Sequence, residues 1–123
     1  MTLAVTNTIS LFGLRREFAG ALIGHLASFE MTSSLPNRLY GNGLRRLGYD
    51  ATATLFFDEH IEADAVHEQI AGRDLAGTLA AEQPERAADI LFGAAACLAL
   101  DDLAAAVLLP CWESGRSALR SAS

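Results

Sequence analysis

Lysine is absent from this chain of 123 residues. The nine basic residues are all arginine, and no basic run exceeds the pairs Arg15-Arg16 and Arg45-Arg46. Fifteen acidic residues outweigh them and leave a formal charge of −6. That balance excludes a nucleic-acid partner, which needs a basic face. Cysteine is nearly absent too. Cys97 and Cys111 form no Cys-x-x-Cys pair, which excludes a redox dithiol and a disulfide framework. Both lie in apolar helical surroundings and are expected as buried thiols in a reducing, cytoplasmic compartment. The N-terminus lacks a basic segment followed by an apolar core, so no secretory leader is expected. β-Branched residues are few and no segment alternates in the manner of a strand. No phosphate loop and no Ser/His/Asp arrangement stands out.

What is present is alanine and helical periodicity. Half of the residues are hydrophobic (51%), enough for one domain spanning 1–123 with its own core. Helical pattern begins almost at once, at Met1-Thr2-Leu3-Ala4-Val5, as if partway through a protein. Residues 3–32 read as one long helix, bent near Gly13 or Gly20. Ser33, Ser34 and Pro36 are expected to stop it and start a second helix over about 36–47, amphipathic through Leu35, Leu39, Leu44 and Leu47. Gly48 is its C-cap, and Asp50 the N-cap of a third helix that runs to about Ala71, before Gly72. A short helix at about 74–82 follows. Gln83-Pro84-Glu85 then opens a long last helix, which Pro110 should kink or terminate. Residues 87–109 are apolar enough to raise a membrane question. Asp89, Asp101 and Asp102 make a bilayer costly there, so a buried helix of a soluble protein is expected.

One segment carries chemistry. In Phe56-Phe57-Asp58-Glu59-His60-Ile61-Glu62-Ala63-Asp64-Ala65-Val66-His67-Glu68, the residues His60, Asp64 and His67 stand at i, i+4 and i+7. They fall within about 60° of helical arc, on the stripe that also holds Ala53 and Phe56. Two imidazoles and a carboxylate in line with an apolar face call for a metal ion. Glu30 repeats the pattern on the first helix, sharing a face with Ala19, Ile23, Leu26 and Ala27. It lies near a helix C-terminus, where the dipole favours cations, so a positive partner is required. A mixed imidazole and carboxylate set suits iron or manganese and also admits zinc. The plainer account is a solvated acidic face in which Glu59, Glu62 and Glu68 flank two surface histidines. His25 points away from Glu30 and is expected at the rim. Asp101-Asp102 is expected to be structural, and Trp112 to plug the end of the bundle.

His60-x-x-x-Asp64-x-x-His67, preceded by Phe56-Phe57 and followed by Glu68, resembles the last metal-binding helix of heme-oxygenase-like diiron oxidases, the iron-containing redox enzymes. His25-Leu-Ala-Ser-Phe-Glu30-Met-Thr-Ser-Ser34 resembles their preceding core helix, and Gly41-Asn-Gly-Leu-Arg-Arg-Leu-Gly48 their connecting region. The resemblance covers about residues 3–120. It implies an all-α, heme-oxygenase-like helical bundle without heme, of about five helices and partial. It also implies O2 activation at two irons (manganese being the other candidate) and oxidation of a small organic substrate, with Glu30, His60, Asp64 and His67 as ligands. Family members take a further Glu and a Glu-x-x-His from helices preceding the equivalent of residue 3. The chain therefore resembles a C-terminal half, and three arrangements fit a half-site. These are a truncated, inactive form, one weakly held metal with water, or a homodimer or partner chain that completes the site. The competing expectations are a non-catalytic helical module without metal and a metal-free helical ligand-binding protein.

Overall fold

The computed structural model describes residues 2–119, apart from the side chains of Thr2 and Ala65; Met1, the first residue of the expected helical start, lies outside that range. Five α-helices and no strand are found among the described residues. They are α1 (Thr2–Gly13), α2 (Ala19–Arg46), α3 (Ala51–Glu68), α4 (Thr78–Glu82) and α5 (Ala87–Glu113). The all-α bundle expected from periodicity is the observed architecture. α2 is its spine: it packs on α5, on α3 and on the segment after α3.

The expected first helix is two. The break falls at Leu14-Arg15, one residue past Gly13, and a 3-10 turn at Arg16–Phe18 leads into α2. The expected stop at Ser33, Ser34 and Pro36 does not occur, because α2 runs through all three to Arg46. Pro36 removes one helical donor, a cost of about 3 kcal/mol in an isolated helix. Tertiary bonds made on either side of it outweigh that local preference. Ser33 and Asn37 both donate to Asp64 of α3. α2 then ends where expected, with Gly48 at φ 88°, the left-handed conformation glycine adopts at little cost.

Asp50 caps α3 by accepting from the amides of Thr52 and Ala53. Arg45 at the end of α2 reaches Asp58, and Thr54 donates to the same carboxylate, which pins the α2–α3 turn. These bonds hold the Asp58 carboxyl below its ordinary pKa. Gly72 does not end α3. The chain widens instead into a π-helical segment, Gln69–Gly77. Ala71 and Ala76, five residues apart, are both buried there. In an α-helix they would point about 140° apart; the wider π turn brings both onto Ala27 and Ile90 in the core. Pro84 opens the last helix through a 3-10 turn, and Pro110 lies inside α5, which continues to Glu113.

The spine is set by glycine. A Cβ on Gly24 would stand 1.8 Å from the carbonyl oxygen of Ile90, and one on Gly93 would stand 1.9 Å from that of Ala21. Backbone therefore meets backbone where α2 crosses α5, and no side chain fits between. Around this crossing the core is thin. The buried apolar side chains among the described residues are Phe12, Ile90, Cys97 and four alanines, Ala21, Ala27, Ala71 and Ala76. Several residues expected inside are outside. Leu35, Leu39 and Leu47 are exposed, as are Ala53 and Phe56. Trp112 is 60% exposed and plugs nothing in this chain. α5, expected as a buried helix, lies largely on the surface, with 17% of its most apolar stretch buried; by length and composition it is long and apolar enough to cross a membrane.

His25 reverses its expectation in the other direction. It is 2% exposed, its ring meets Phe12 edge-on, and its Nδ1 has no hydrogen-bond partner. Burial pushes its pKa down, against a smaller opposing pull from Asp101. Both folded and unfolded His25 are neutral above pH about 6.5. As pH falls through that value only the unfolded chain takes up the proton, so stability drops in acid.

Two expectations follow. Gly24→Ala and Gly93→Ala should each lower unfolding free energy by about 2–4 kcal/mol in urea titrations, because the helices must part. His25→Gln, neutral at every pH, should remove a stability slope approaching about 1.4 kcal/mol per pH unit below pH about 6.5. Equal slopes in both proteins, measured by urea titration between pH 7.5 and 5, would contradict the buried neutral imidazole.

Candidate metal centre

α2 and α3 lie side by side and point three ligand atoms at one another. His67 Nδ1 is 3.2 Å from Glu30 Oε2 and 3.9 Å from Asp64 Oδ1. One donor atom from each of Glu30, Asp64 and His67 lies within 4.8 Å of the other two. Ligands bound at about 2.0–2.2 Å to one ion are separated by up to about 4.4 Å, so the trio needs only a small contraction to share a cation.

Asp64 organises this trio. It is 2% exposed, and its two oxygens have separate partners. Oδ2 accepts from Ser33 Oγ at 2.9 Å and from Asn37 Nδ2 at 3.0 Å. Oδ1 is left facing His67. A buried carboxylate with one oxygen held by neutral donors and the other turned towards an imidazole has the geometry of an oriented ligand. Ser33 and Asn37 were not singled out in the sequence, where Ser33 read as a helix stop. The signal was present: both fall within about 60° of Glu30 on the helix.

His60 stands apart from the trio. Its ring lies beside that of Phe56, with centroids 4.1 Å apart, and its Nδ1 is 2.6 Å from the Phe56 carbonyl oxygen. That carbonyl can only accept, so Nδ1 carries a proton, and the lone pair of a neutral ring is then on Nε2. Metal-binding histidines are commonly oriented in this way. His60 lines the same groove as the trio, outside the 4.8 Å cluster.

The groove has a volume of about 670 Å3 and runs between α1, α2, α3 and α5. Its polar floor is Glu30, Asp64, His67 and His60, with Asp101 reaching in from α5. Its walls are apolar, with Phe29, Phe56, Leu108 and Trp112 among them. Asp101 stands one turn beyond Cys97 on α5, so the groove opens where the α2–α5 seam ends. Cys97 takes no part in it. The thiol is fully buried, and burial together with the Asp101 carboxylate pushes its pKa up, away from the reactive thiolate. Both cysteines are free.

A family model described as iron-containing redox enzyme matches residues 1–102, and the chain belongs to that heme-oxygenase-like family. No curated protein and no solved structure matches it.

The pair Ser33→Ala and Asn37→Ala tests how Asp64 is held. Each should lower stability by about 1–3 kcal/mol, since a buried oxygen loses a donor. The double variant should lose less than the sum, because both act on one atom. Urea titration of the two single variants and the double variant reads this coupling.

Proposed function

We propose that the chain is an iron-dependent oxidoreductase that uses O2 on a small organic substrate, with iron held by Glu30, Asp64 and His67 and with His60 as the further donor. The supporting observation is the divided carboxylate of Asp64, anchored through one oxygen and presented to His67 through the other, in a cluster that Glu30 completes. Membership of an iron-containing redox family supplies the metal. A bound iron would supply electron transfer, which none of these side chains provides.

The chain's own residues do the rest. Glu30 and Asp64 bring two negative charges to the cation, and His67 and His60 add neutral nitrogen donors. Ser33 and Asn37 fix the angle at which Asp64 approaches. The apolar walls at Phe29, Phe56, Leu108 and Trp112 exclude water from a bound substrate and hold its carbon frame next to the polar floor. Two irons, as in helix-bundle diiron proteins, would need more carboxylates than this trio carries.

A second reading is a helical module without metal. It is favoured by the 3.2 Å contact of Glu30 with His67, which stands as an ion pair by itself when the imidazole is protonated. Metal content separates the two. Chain purified anaerobically and loaded with ferrous iron should retain it through desalting. His67→Ala and Asp64→Asn should each weaken binding by at least about tenfold while the helical circular dichroism is kept. Iron absent from the unaltered chain, or equally retained by both variants, would assign the trio to the ion pair.

A further inference from the structure

The groove lies open, and the surface around it is larger than one folded copy requires. A compact protein of 13.1 kDa exposes about 6,400 Å2. This chain exposes 8710 Å2. The excess, about 2,300 Å2, matches what each partner contributes to an obligate homodimer, whose interfaces bury about 2,000–5,000 Å2 in total. Part of its exposed apolar surface belongs to the groove. Phe29, Tyr40, Phe56, Leu109 and Trp112 line the groove and are each about half exposed or more. Half-exposed aromatic residues sharing a groove with a few polar groups have the composition of an interface core.

Charge decides how such a face can close. Glu30, Asp64 and Asp101 line the groove, and among the described residues no arginine does. In a two-fold dimer the same patch faces itself, so carboxylates of one copy approach those of the other. Like charges brought together in this way oppose association. A divalent cation in each Glu30–Asp64–His67 trio removes that opposition.

We propose that the groove face is the interface of a metal-dependent homodimer, in which a second copy covers the groove and adds its own Glu30, Asp64 and His67 to a shared centre. The inference rests on the iron-binding reading above. Cation binding and association are then one equilibrium: the metal binds the paired form more tightly and so draws the chain into it.

Sedimentation velocity on the full chain tests this, with ferrous iron or redox-inert manganese(II) added anaerobically and with EDTA as the opposite condition. The expected result is a dimer holding about two ions, which dissociates at least about tenfold more readily in EDTA. Leu109→Arg, at an exposed rim position, should give a folded monomer with weakened metal binding. His67→Ala should abolish the response to metal. A monomer that binds iron as tightly as the unaltered chain should would overturn the dimer and leave the iron-dependent function standing. A dimer that neither holds iron nor responds to it would overturn both. A dimer that holds iron but ignores EDTA would overturn the coupling alone. An iron-binding monomer that floats with phosphatidylcholine vesicles would assign the apolar face to a bilayer and overturn the dimer.

Discussion

The backbone contact between α2 and α5 is the constraint on which the rest of the structure depends. Gly24 lies on the carbonyl of Ile90 and Gly93 on that of Ala21, with no room for a methyl group at either point. Two helices this close exchange dispersion contacts along their backbones. That matters in a chain whose buried apolar side chains are mostly alanine. The crossing also sets direction. With Gly93 and Cys97 against α2, the next turns of α5 place Asp101, Leu108 and Trp112 along the groove. A wider crossing would separate α5 from the groove wall it now forms.

The second constraint is the buried carboxylate of Asp64, which accounts for an otherwise costly feature of α2. A proline inside a long helix and a serine pair before it are poor choices for propagation. Ser33 and Asn37 sit one turn apart on the face that meets α3, and both donate to the same oxygen of Asp64. The helix is thus stabilised from outside, by an acid it helps to bury. Fold and site share this element: the bonds that carry α2 past Pro36 also leave Asp64 Oδ1 facing His67.

Helical periodicity, the Asp50 cap and the Gly48 cap were legible because each is a local signal, complete within a few residues. Glu30, Asp64 and His67 were legible because their spacing puts them on one face each, and two faces in contact bring them together. What was not legible depended on partners far away in sequence. Ser33 and Pro36 look like a stop until Asp64, about thirty residues on, is known to need donors. Gly72 looks like an end until Ala71 and Ala76 are both required in the core, and the helix widens to place them. His25, a rim residue by its helical position, is buried, and α1 brings Phe12 against it. Trp112 and the leucines of α2 failed in the opposite way: their hydrophobicity predicted burial, and no described residue of this chain covers them.

That uncovered surface and the acidic groove act against each other, and a metal ion can reconcile them. Apolar area favours closing the groove face, by about 25 cal/mol for each Å2 removed from water. Clustered carboxylates disfavour it, since a dry interface raises the energy of every unpaired charge. In the proposed dimer, a cation held by Glu30, Asp64 and His67 would turn the polar groups from an obstacle into a joint. The ion proposed for redox chemistry would then decide whether the face around it is exposed or closed. Closure would in turn keep water from the centre and confine an organic substrate between apolar walls. Assembly and chemistry would thus be governed by one binding event, seated on the oxygen of Asp64 that Ser33 and Asn37 leave free.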